Sequence, residues 1–71
     1  MIIVTVIQSN AIKELHTFKD NVFLAEQSFT ALCKKLFTEA NGFSESELSA
    51  MFKAGYFGNL EEDKGVQVNY I

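Results

Sequence analysis

From Ile2 to Ile7 every position but Thr5 is apolar, a β-branched run that predicts a strand covered on both sides or central in its sheet. Ser9 and Asn10 follow. Their short polar side chains bond nearby backbone and Asn tolerates positive φ, so a hairpin turn is expected there. In Ile12-Lys13-Glu14-Leu15-His16-Thr17-Phe18 the apolar residues recur every third position, a spacing that also suits a short helix over 11–17. Thr17 and Phe18 prefer strand, and a second strand is the expectation.

Helical periodicity is clearest next. Val22, Ala25, Phe29, Leu32, Cys33, Leu36 and Ala40 fall on one face, with Asp20 or Asn21 as N-cap. The trio Asn41-Gly42-Phe43 predicts a left-handed glycine closing this helix, which sets helix one at 22–41 and makes Gly42→Val destabilising. Ser44-Glu45-Ser46-Glu47 has the spacing of a capping box, so a second helix starts there, carries Leu48, Met51 and Phe52 as its apolar stripe, and stops at Gly55. Gly58-Asn59 and Glu61 to Gly65 suggest a solvated turn and loop, and Val66-Gln67-Val68-Asn69-Tyr70 alternates with period two. That alternation predicts a last strand at a sheet edge, beside the first. The expected fold class is therefore α+β, a two-layer sandwich in the order ββααβ. A small, mainly antiparallel three-stranded sheet packs against an αα-hairpin.

Seventy-one residues suffice for one core, so residues 1–71 are expected to form a single domain. Hydrophobic residues make up 48% and charged residues 21%, which separates the chain from disordered compositions. Cores of this size supply only about 3–5 kcal/mol, and small domains often add a disulfide, a metal or a partner. Cys33 is the single cysteine and His16 the single histidine, so an intrachain disulfide and a zinc set are both excluded. Self-association as a homo-oligomer is the remaining means of support.

Six Lys, no Arg and a net charge of −3 disfavour nucleic acid, which is held by counterion release and guanidinium forks. The acidic excess is too small to mimic a phosphate ladder. The apolar start lacks a basic flank and no run approaches the roughly 18 residues of a membrane span, so neither targeting nor membrane partnership is expected. A lone free cysteine suits a reducing compartment, which makes the cytoplasm the expected location.

Chemistry is sparse. Cys33 shares a helical face with Phe29 and Leu36, where a thiol acts as a small hydrophobe and not as a nucleophile activated by His16. Glu61, Glu62 and Asp63 lack the ligand spacing of a calcium loop. Lys64 to Tyr70 opens like an RNA-recognition strand but places Val66 and Val68 where stacking rings belong. The glycines fit neither a dinucleotide fingerprint nor a phosphate loop. No catalytic residue, metal ligand or cofactor is assigned, and the chain is not expected to be an enzyme.

Seven Phe and two Tyr exceed what a core this small needs. Phe23 lies off the apolar stripe of helix one, Phe37 at its margin, and Tyr56 and Phe57 in the turn beyond helix two. These four are the candidate protein-binding residues. The expected function is a small non-enzymatic protein-interaction module that associates with itself or another protein. A small inhibitor of a larger host enzyme or defence complex, of the mobile-element type, is one alternative. A small-molecule binder with its site at a subunit junction is the other.

Overall fold

In the computed structural model, which describes residues 1–59 and 63–71, the apolar run becomes strand β1 (Ile2–Gln8) in the interior of a four-stranded antiparallel sheet. Ser9 and Asn10 both adopt positive φ, 53° and 61°, as a tight two-residue hairpin requires. They lead into β2 (Ala11–Phe18), so this segment is strand and not helix. Its three-residue apolar spacing has a cause in the register. Val6 pairs with Glu14 but Ile7 pairs with Ile12, which leaves Lys13 as the extra residue of a bulge. One additional residue is what turns Ile12 and Leu15 to the same side of a strand.

Helix α1 (Val22–Leu36) is capped by Asn21, whose side chain accepts from the Leu24 amide at 3.1 Å. It ends well before the expected Asn41, and the left-handed stop at Gly42 does not form. Phe37 is extended instead (φ −123°, ψ 118°), and Thr38–Gly42 is a 3₁₀ turn. The physical reason is burial. A continuing helix would carry Phe37 roughly 80° round from the centre of the line Ala25, Phe29 and Cys33. The break turns the ring inward, where it is 2% exposed and meets Phe57 edge-on at 5.0 Å between centroids.

Helix α2 (Glu45–Ala54) begins with the expected capping box. Ser44 Oγ accepts from the Glu47 amide at 3.2 Å, and Glu47 Oε1 accepts from the Ser44 amide at 3.2 Å. Ser44→Ala is expected to cost about 0.5–2 kcal/mol in urea denaturation, with no change in the native circular dichroism. Gly55 closes α2 in the left-handed region at φ 93°, its amide donating to the carbonyls of Met51 and Phe52 at 2.9 and 3.1 Å.

The sheet has one strand more than the sequence pattern predicts. Tyr56–Asn59, expected as turn, is strand β3, paired antiparallel with β4 (Lys64–Tyr70). The sheet order is β2-β1-β4-β3, so β4 is interior and the element sequence is ββααββ. Four residues opening on a tyrosine and closing on Gly58-Asn59 show too little period to announce a strand. Pairing with β4 forms it. The carboxylates Glu61 and Glu62, expected in a solvated loop, lie outside the described residues.

Both helices cover one side of the sheet. Ile2, Val4 and Val6 of β1 and Val66 and Val68 of β4 point to them and are buried, with Ala25, Phe29, Cys33, Leu48 and Phe52 closing the core. Phe29 and Phe52 join α1 to α2 edge-to-face at 5.7 Å, a geometry that adds about 0.5–1.5 kcal/mol to burial alone. Among the described residues no helix is long and apolar enough to cross a membrane.

Candidate interaction surface

Alternation along a strand assigns every second residue to the side opposite the helices. Cross-strand pairing collects these residues into three rows. The first is Thr17, Ile3 and Asn69. The second is Leu15, Thr5, Gln67 and Tyr56. The third is Ile12, Ile7, Gly65 and Gly58. No member of these rows is charged, whereas the chain as a whole carries −3.

Described residues do not cover this face. Ile12 is 64% and Leu15 56% exposed, while Thr5 at the centre is 6% exposed because its strand neighbours crowd it. Where β3 and β4 carry paired glycines, the Tyr56 ring lies across both. A Cβ on Gly58 or Gly65 would strike that ring. The ring fills the space the two missing side chains leave, so the face continues to its β3 edge. Tyr56 itself is 41% exposed.

Of the four aromatic residues singled out from sequence, the structure puts only Tyr56 on this face. Phe23 is 68% exposed on the outer side of α1, at a shallow groove of about 810 Å³ between the helices. Phe37 is core, and half-buried Phe57 packs between Phe37 and Phe43 at 5.0 and 5.8 Å. The four therefore do not form one patch. The aliphatic members Ile3, Ile7, Ile12 and Leu15 are not conspicuous in the sequence because each strand alone looks like ordinary sheet. The bulge at Lys13 is the available signal: the same three-residue spacing that suits a helix marks two exposed apolar residues on one side of β2.

The reactive side chains are occupied or enclosed. His16 Nε2 lies 3.0 Å from Glu14 Oε1 on the helix-facing side of β2. Cys33 is fully buried and free, and burial pushes its thiol from 9.0 up to about 12, because the low-dielectric interior disfavours the thiolate. Below about pH 9 both folded and unfolded chains keep this proton, and the full stabilisation is present. Between about 9 and about 12 the unfolded chain releases it while the folded chain does not, so stability falls as pH rises. Cys33→Ala is expected to remove about 1.4 kcal/mol per pH unit from that fall in urea titrations above about pH 9. An unchanged slope would show that the thiol is not the group responsible. No three of His, Cys, Asp and Glu among the described residues gather as a metal site would require.

Comparison with known proteins finds no matching family model, no curated protein and no solved structure.

Proposed function

We propose that this chain is a small non-enzymatic protein-interaction module that docks through the open face of its sheet. One observation carries the reading: a sheet face that the described residues leave uncovered, whose paired rows hold no charge and display Ile12, Leu15 and Tyr56, with exposed Lys13 on the edge strand beside them. Water on such a surface is displaced at a gain of roughly 25 cal/mol per Å² of apolar area, and no charge within the paired rows has to be stripped of solvent. Interface cores share this character, being depleted in charge and enriched in aromatic residues. The threonines, Gln67 and Asn69 supply neutral donors and acceptors that fix a partner's orientation.

Leu15→Lys tests it. The site is on an edge strand and more than half exposed, so the fold survives while a charge enters the middle row. Immobilised wild-type chain is expected to retain one or more proteins, further copies of itself included, that the Leu15→Lys chain releases. Equal retention by both, or none by either, sinks the reading.

A further inference from the structure

Resting on that reading, we infer that the occupant of the open face is a second copy of this chain, packed sheet against sheet in a four-layer α/β/β/α dimer. Three features of the molecule favour a copy over a foreign partner. The first is charge. Each copy is net negative, and the paired rows of the open face carry no charged side chain, so two copies that meet there bring no like charges together across those rows. A face adapted to a different protein gains rate and selectivity from charge complementarity, and the paired rows of this one offer none, the exposed Lys13 standing only at the β2 edge.

Area is the second feature. Four strands of 7, 8, 4 and 7 residues, about 4.8 Å apart with about 3.3 Å per residue, span roughly 400 Å² of flat sheet. A pair therefore buries about 800 Å² before the relief of the side chains is counted, which reaches the lower range of specific interfaces once it is. Sheets packed this way sit about 10 Å apart, with side chains of the two faces interdigitating. The Tyr56 ring over Gly58 and Gly65 extends the contact to the β3 edge, where bare backbone would otherwise leave a gap.

The third feature is that the alternative mode of self-pairing is obstructed. The outer edge of β2 is the longer free edge of the sheet, yet it carries the Lys13 bulge. A bulge with an exposed lysine interrupts the ladder that a second β2 would have to extend. Pairing face to face leaves that edge in water. It also gives a chain of 8.0 kDa the additional apolar burial that a small core lacks.

The test is a concentration series of molar mass by light scattering and sedimentation on the full chain, run beside Leu15→Lys and Phe23→Lys. The wild type is expected to rise from 8.0 kDa to twice that mass over the micromolar to millimolar range. Leu15→Lys is expected to dissociate at least about tenfold more readily, with circular dichroism and dilute-solution melting unchanged. Phe23→Lys, in the groove on the opposite side, should dimerise like the wild type. A wild type that stays monomeric at all concentrations overturns the second copy as occupant while leaving the docking face to the retention experiment. A dimer indifferent to Leu15→Lys, or lost with Phe23→Lys, overturns the open face as its seat.

Discussion

Phe37→Asp is expected to unfold the domain, not to remove a binding contact from an intact one. Sequence position sets this ring at the margin of helix one, where a carboxylate would be tolerated and would report on an interface. In the structure the ring is buried beside Phe57 and belongs to the core cluster that includes Ala40 and Leu48. Truncating a buried phenylalanine to alanine costs about 3–5 kcal/mol, and a buried unpaired carboxylate adds a desolvation penalty of several more. That total matches or exceeds what a domain of this size draws from its core. Circular dichroism of Phe37→Asp should show loss of structure, and Phe37→Leu should retain it at reduced stability. A folded Phe37→Asp chain would mean that α1 does not break at Leu36.

The second large effect is expected at Gly55 and not at Gly42. Gly55 lies at φ 93°, closes α2, and accepts through its carbonyl from the Val68 amide at 2.8 Å, so it also ties the helix stop to β4. A Cβ there would contact the Val68 carbonyl oxygen at 3.4 Å. Valine in left-handed backbone costs roughly 1–3 kcal/mol in strain alone, and relieving it would loosen the start of β3. At Gly42 φ is not positive, and a Cβ added there would meet nothing within 4 Å among the described residues. Gly42→Val should therefore fall within about 0.5 kcal/mol of the parent. Urea midpoints of the two variants decide it. Equal losses would restore the left-handed stop at Gly42.

The contrast between these glycines marks where local patterns suffice and where they fail. Both sit after a helical run and before an aromatic residue, and the residues alone do not tell them apart. Gly55 follows a helix whose end costs nothing to stop there. Gly42 follows a segment in which burying Phe37 outweighs about one more turn of helix, so the chain leaves the helix early and the glycine has no left-handed duty.

Interactions within a few residues were legible without the fold. The β-branched run placed β1 inside a sheet, Ser9-Asn10 placed a hairpin, Asp20 or Asn21 and then Ser44 marked two helix starts, and Gly55 placed one stop, because caps and turns satisfy backbone groups close in sequence. The α+β class followed from the order of those elements. Only the tertiary structure decided the rest. β3 exists because β4 offers it a ladder, β4 is interior because β3 covers its free side, and Phe37 is core because Phe57 receives it. The open face belongs to this second group. Its members come from all four strands, and their shared lack of charge becomes visible only when antiparallel pairing sets Ile3 beside Asn69 and Thr5 beside Gln67, residues from opposite ends of the chain, on one side of the sheet.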